Sequence, residues 1–239
     1  MEEHVLRGVD GIIVLLDTFG NILKETYNID GIPIVKVPLA ANKIAFTHKI
    51  SGKKIIGYVG QLYPMQGVDV LIEAMTYLPD AVLSIIGGSE KDLKRLKKIA
   101  ADKNLEKRII FHGFVPPDKV PDIAKEADVM VICALNKGKM RYAAYTKLYE
   151  YLAMGKPIVA VDLPSVREEV DNGVNVLLAQ PEDPLSLAEK ISAVLDSHEI
   201  ANTLALNAHL LADKFTWGKR AARLFDFFSE TYINFRGKR

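Results

Sequence analysis

A single cysteine, Cys133, in 239 residues excludes an internal disulfide and leaves no Cys-x-x-Cys pair for a metal or a redox reaction. No apolar run approaches the about 20 residues that cross a bilayer. Runs such as Val129–Leu135 are the length of a buried strand. No signal-peptide pattern opens the chain. Neither sign of charge dominates: 31 basic residues face 30 acidic ones, so no global field draws nucleic acid or an anionic membrane. The five histidines (His4, His48, His112, His198 and His209) lack metal-ligand spacing, and no HExxH is present. His112 falls inside a strand pattern and reads as structural. The dinucleotide GxGxxG and the P-loop are missing, and no nucleophile elbow or Ser-His-Asp set can be assembled. Repeats and low-complexity tracts are absent too. These absences point to a cytoplasmic chain with at most peripheral membrane contact, and to no metal or bound cofactor.

With 49% hydrophobic and 26% charged residues, the composition is that of an ordinary globular domain. Short apolar runs alternate with amphipathic stretches. Strands are predicted at 54–60, 81–88, 108–115, 129–135, 157–161 and 174–179. Helices are predicted between them at 68–78, 90–103, 118–127, 145–154 and 165–170, with another at 185–195. Ser165 and Glu168 have capping-box spacing and predict a helix start. This alternation implies βαβ units and a doubly wound parallel sheet buried on both faces. Such sheets bind ligands beyond the carboxyl ends of their strands. Residues 1–50 hold one further strand–helix–strand unit (10–16, 18–29, 32–37) and a connector. From Phe215 a long helix carries Trp217, Ala221, Leu224 and Phe228 along one stripe.

The strand ends carry the chemistry. Gly57-Tyr-Val-Gly-Gln-Leu-Tyr-Pro-Met-Gln-Gly67 lets backbone approach a ligand closely, although such a turn alone is plain geometry. Gly87-Gly-Ser-Glu90 is a second glycine turn, with Ser89 as a helix N-cap. The segment 136–147 carries Lys137, Lys139, Arg141 and Lys147 with no acid among them, and it leads into a helix N-terminus. Amide groups, helix dipole and cations together suit an anion such as phosphate. Glu150 lies in the first turns of that helix, where a carboxylate can bond a pair of sugar hydroxyls.

Three stretches together resemble the C-terminal domain of retaining glycosyltransferases of family 4. They are 57–74; Phe111-His-Gly-Phe-Val115 with Ala127-Asp-Val129; and Lys147-Leu-Tyr-Glu-Tyr-Leu-Ala-Met-Gly-Lys-Pro-Ile-Val-Ala160, the most specific. Asp162–Glu168 and Asn172–Leu178 also fit. The resemblance implies a Rossmann-like half of a GT-B fold and a nucleoside-diphosphate sugar donor handled without a metal. It implies that Glu150 binds the ribose, that Phe114 and Val115 contact the base, and that Gly87 to Glu90, Ser89 among them, and the helix start near Ala144-Tyr145 approach the diphosphate and sugar, with Gly60 and Lys147 as further donor-binding candidates. Where the family has its diphosphate-binding arginine and lysine, this chain has Gln61 and Gln66. Tyr142 stands at the first glutamate of the family's paired-glutamate motif. The loop cations, Lys147 included, are the candidates to compensate.

The resemblance also implies a domain plan: residues 1–50 as the end of an acceptor domain and its hinge, 51–213 as the donor domain, and 214–239 as a helix returning to the acceptor domain. The hinge's usual Pro-Asn-Gly reads Pro38-Leu39-Ala40. Most of an acceptor domain is then lacking, which implies a fragment, a truncated product or one subunit of a split enzyme. A partner chain or self-association would cover the apolar surface so exposed. Two functions follow. One is the donor-binding part of a retaining transferase, with no residue nominated as catalytic acid or base. The other is a non-catalytic scaffold whose donor site is degenerate. A sugar-nucleotide epimerase on the same fold is a third, without nominated acids or bases.

Overall fold

A computed structural model describes residues 2–29, 31–46 and 51–237. After a short helix α1 (Glu2–Leu6) come β1 (Ile12–Val14), α2 (Asp17–Tyr27) and β2 (Ile34–Lys36), with β1 and β2 paired in parallel as a small sheet of their own. The main body then runs β3 (Ile55–Val59), α3 (Val68–Ala74), β4 (Val82–Ile86), α4 (Glu90–Asp102), β5 (Ile109–Gly113), α5 (Val120–Ala124) and β6 (Val129–Ile132). It continues through α6 (Thr146–Met154), β7 (Ile158–Val161), α7 (Pro164–Arg167), β8 (Leu177–Ala179), α8 (Pro184–Leu195) and α9 (His198–Leu211), and it closes with α10 (Trp217–Gly237). The six strands are parallel, in the order β5-β4-β3-β6-β7-β8. This is a doubly wound α/β sheet whose order reverses between β3 and β6.

Every residue of β6 and β7 is buried, as expected of a parallel sheet covered on both faces. Alternation along β6 divides the core. Val129 and Val131 face the layer of Leu71, Ile72, Leu96 and Ile191, while Met130 and Ile132 face Tyr149, Leu152 and Ala208. The two central strands pair only at Ile56↔Val129 and Gly57↔Met130. Beyond Gly57 they separate, and the N–H of Val59 donates instead to the Tyr151 hydroxyl at 2.9 Å. That separation opens the crevice at the carboxyl ends of the sheet.

Several expectations are corrected. The helix expected at 118–127 shrinks to Val120–Ala124, and that expected at 68–78 ends at Ala74 and tightens into a 3₁₀ turn over Met75–Tyr77. The strand expected at 174–179 is only Leu177–Ala179. The capping box does not form. Leu163 is the N-cap of α7, and the Ser165 hydroxyl is buried without a partner. Glu168 caps a different helix: its carboxylate accepts from the N–H groups of Asp17 (2.5 Å) and Thr18 (2.9 Å) and from the Thr18 hydroxyl (2.6 Å). Lys36 Nζ lies 2.7 Å from an oxygen of Glu168 and of Glu169. Burial pushes the Glu168 carboxyl up, but the bonds from Lys36 and Thr18 outweigh it and hold the group below the usual carboxylate range. This cluster seats the first βαβ unit on the main body. On its other side, Arg220 of α10 donates to the carbonyls of Val37 (2.8 Å) and Pro38, and Phe227 packs where a side chain at Gly11 would stand. The packing face of α10 therefore centres on Arg220 and Phe227, while Trp217, Ala221 and Phe228 of the expected stripe are exposed.

Candidate functional site

The carboxyl ends of β3, β4 and β5 are tied to one another. Gly60 N–H donates to the Ile86 carbonyl (3.0 Å), and Gly87 N–H donates to that of Gly113 (2.7 Å). Both glycines have positive φ, +143° and +109°. A methyl group on Gly87 would fall well inside the van der Waals radius of the Gly60 carbonyl oxygen, so the loops touch through bare backbone. Ser89 caps α4, as expected: its hydroxyl donates to an Asp92 carboxylate oxygen at 2.6 Å and accepts from the Asp92 N–H at 3.3 Å. Phe114 follows Gly113 with 80% of its surface exposed, and Val115 beside it is half-buried.

Tyr58, Gln66 and Lys147 meet on the other side of the Gly60 turn. Lys147 Nζ donates to the Tyr58 hydroxyl (2.8 Å) and to Gln66 Oε1 (2.9 Å), and it stands 4.2 Å from the centre of the Tyr58 ring. The Tyr58 hydroxyl donates to the Gln61 carbonyl at 2.8 Å, which fixes the turn from below. Burial pulls the Lys147 ammonium down to about 8. Burial pushes the neighbouring Cys133 thiol up to about 12, so the one cysteine is an uncharged packing group. No carboxylate forms an ion pair with Lys147 among the described residues.

The basic loop is not a uniform anion site. Lys137 pairs with Glu182 at 3.0 Å, and Glu182 also accepts from the Asn136 N–H. Arg141 lies over the ring of Tyr142, 5.5 Å from its centre. Lys139 and Tyr142 line an apolar cavity of about 500 Å³ together with Ile13, Leu15, Phe19 and Ala144. Of the four cations, Lys147 alone reaches the strand-end crevice. Tyr145 is the N-cap of α6, but its side chain turns inward and donates to the Met140 carbonyl at 2.6 Å, so only its backbone faces the helix entry. No side chain caps α6. Glu150, one turn beyond Lys147, is exposed, and its carboxylate accepts no hydrogen bond from the described residues. Although the residue is exposed overall, partial desolvation of the carboxyl against its surroundings raises it, and Lys147 partly reverses the shift.

Sequence reasoning missed Tyr58, Tyr151 and Arg95. Arg95 of α4 donates to the Leu62 carbonyl at 2.6 Å and pins the loop after β3. A tyrosine amid an aliphatic strand was the available signal, because a buried hydroxyl needs a partner. His112 bonds Ser84 at 3.0 Å, consistent with a structural part. Among the described residues, no three His, Cys, Asp or Glu side chains are placed to hold a metal ion, and no helix is long and apolar enough to cross a membrane.

Residues 41–210 match the family model described as glycosyl transferases group 1. A D-inositol 3-phosphate glycosyltransferase of Xylanimonas cellulosilytica is 28% identical over 250 residues, covering 96% of this chain and 59% of the relative. An uncharacterized glycosyltransferase of Methanocaldococcus jannaschii is 25% identical over 243 residues, 96% of this chain and 60% of the relative. The chain thus spans about 60% of the length of these relatives. Sucrose-phosphate synthase from Thermosynechococcus elongatus superposes with a TM-score of 0.84 at 21% identity, over 98% of this chain and 61% of that one. HepE from Anabaena, in complex with UDP and glucose, superposes with a TM-score of 0.78 at 18% identity, over 93% and 64%. These two show likeness of fold.

Proposed function

The chain belongs to the glycosyl transferases group 1 family, and on that premise we propose that it binds a nucleoside-diphosphate sugar beyond the carboxyl ends of β3, β4, β5 and β6. In this reading it forms the donor side of a retaining transfer of the family 4 kind. One observation carries the proposal: an ammonium with no carboxylate partner and an uncapped helix N-terminus lie together beside the bare-backbone turns at Gly60 and Gly87. Cation, amide groups and helix dipole all favour a diphosphate there. The exposed ring of Phe114 offers a surface for the base, and the unengaged carboxylate of Glu150 offers two acceptors for ribose hydroxyls. As the glycosidic bond breaks, negative charge grows on the departing diphosphate. Groups already aimed at that position stabilise the transition state more than the ground state. Protein groups rather than a metal or cofactor fill that role in this proposal. The UDP present in HepE, a neighbour in fold, supports a nucleotide as the ligand in this reading.

The acceptor side is proposed to be completed by protein surface outside these residues. Ile13, Leu15 and Phe19 around the cavity are 36%, 36% and 45% exposed, which leaves an apolar face for a covering domain or partner chain.

Calorimetric titration with UDP and GDP tests the donor reading. The native chain is expected to bind one of them in the micromolar range, and Glu150→Ala to lose about tenfold or more, the usual effect of removing a charged hydrogen-bond acceptor. Absence of binding by either nucleotide to the folded native chain would refute the donor reading and put the scaffold reading in its place.

A further inference from the structure

We infer that the positive charge facing the donor's diphosphate has moved across the crevice, from the loop after β3 to the first turn of α6, where Lys147 carries it. This rests on the donor reading above and names the residue on which that reading depends most. The two positions of the β3 loop that the family resemblance assigns to cations are Gln61 and Gln66. In the fold, the tip of Gln66 is the group that Lys147 bonds, Nζ to Oε1 at 2.9 Å. A lysine reaching out from position 66 and the lysine reaching in from position 147 would therefore deliver an ammonium to nearly the same place. In this chain the glutamine amide on one side is uncharged, and the ammonium comes from the other.

The remaining loop cations are engaged elsewhere: Lys137 pairs with Glu182, Arg141 lies over the Tyr142 ring, and Lys139 lines the apolar cavity. Lys147 uses two of its three N–H donors on Tyr58 and Gln66 and keeps one for a ligand. The site is also tight: a side chain on Gly60 would begin 3.1 Å from Nζ, so only bare backbone lets the ammonium approach that turn.

The charged and titratable neighbours do not satisfy it. Tyr58 comes from β3 and Cys133 from the end of β6, and burial keeps both uncharged. Asp69 of α3 acts on Cys133, and Glu150 on α6 itself acts on Lys147 without pairing to it. A partly buried ammonium without a counter-ion costs stability, and burial has already brought its proton affinity down to about 8. An anion delivered to this spot would restore the missing partner. Because the anion binds the protonated form, affinity should fall as pH rises through about 8, approaching tenfold per unit above it.

The test uses the full chain with UDP and GDP as probes and uridine and guanosine as phosphate-free controls. Lys147→Met should weaken diphosphate binding about 10- to 100-fold, the range for losing a charge-assisted bond, and leave nucleoside binding unchanged. The double variant Gln66→Lys/Lys147→Met should recover most of the loss by returning the charge to the loop. Without any substitution, calorimetry at pH 8 in two buffers of different ionisation enthalpy should show uptake of about half a proton per diphosphate bound. Native binding that Lys147→Met leaves intact, or proton uptake that persists unchanged in Lys147→Met, overturns the charge relocation while sparing the donor reading. Failure of the native chain to bind either nucleotide overturns both.

Discussion

Gly87→Ala is expected to lower folding stability by about 4 kcal/mol and to abolish nucleotide binding. Two costs add. At φ +109° an L side chain is strained by about 1–3 kcal/mol. The new methyl also meets the Gly60 carbonyl oxygen, and overpacking of this kind costs about 1–3 kcal/mol more. The turn cannot move aside cheaply, because Gly60 and Gly87 are each bonded to the neighbouring strand end. Any relief must part the loops that form the floor of the site. Gly173→Ala separates the two costs: its φ is +79°, but nothing lies within 4 Å of the added carbon. It should lose only the strain, about 1–2 kcal/mol. Urea midpoints at unchanged m-value give both numbers. Equal losses at the two positions would show that the contact between the turns is not close.

Asp128→Ala is expected to cost about 3–5 kcal/mol without touching the site. Asp128 is 4% exposed and precedes β6 at the opposite end of the sheet. Its carboxylate accepts from the Ser51 N–H (2.6 Å), the Ser51 hydroxyl (2.8 Å) and the Ile55 N–H (3.0 Å), so it ties the connector to the first residue of β3. It also offsets the buried charge of Lys156, whose ammonium donates to the carbonyls of Lys125 and Ala127. Removing the carboxylate strands amide donors and a cation together, each a penalty of about 1–3 kcal/mol. Asp128→Asn keeps one acceptor and should lose less. The denaturation midpoint reports the cost, and nucleotide affinity of the folded fraction should stay within about twofold, since 0.4 kcal/mol corresponds to about that factor. A loss near zero would mean that water replaces the carboxylate at the base of β3.

The strands were legible because burial on both faces leaves an unbroken apolar run, as at Val129–Ile132 and Ile158–Val161. The glycine turns were legible because backbone conformation is written into residue type, and Gly60 and Gly87 both adopt positive φ. What failed was whatever depends on a partner distant in sequence. Ser165 and Glu168 have the spacing of a local cap, yet Glu168 found the N-terminus of α2, 150 residues away. The basic segment 136–147 carries no acid of its own, but the fold brings Glu182 to Lys137. Lys147 was legible as a donor-site candidate through the motif it opens, but its bonds to Tyr58 and Gln66 and its place under Gly60 depend on residues 80 or more positions away. Helix α9 was missed outright, although Ser197 caps it by accepting from the Ile200 N–H. Its apolar residues serve two layers, Leu204 one and Ala208 the other, which blurs the periodicity that marks a single buried face.

The most direct measurement is a diffraction structure of the chain crystallised with whichever of UDP and GDP it binds. The expected result places the diphosphate at the N-terminus of α6 within hydrogen-bond distance of Lys147 Nζ, with the ribose at Glu150 and the base against Phe114. A nucleotide lodged elsewhere on the chain, or one at this end of the sheet with its phosphates directed away from Lys147, would contradict the assignment of the donor site.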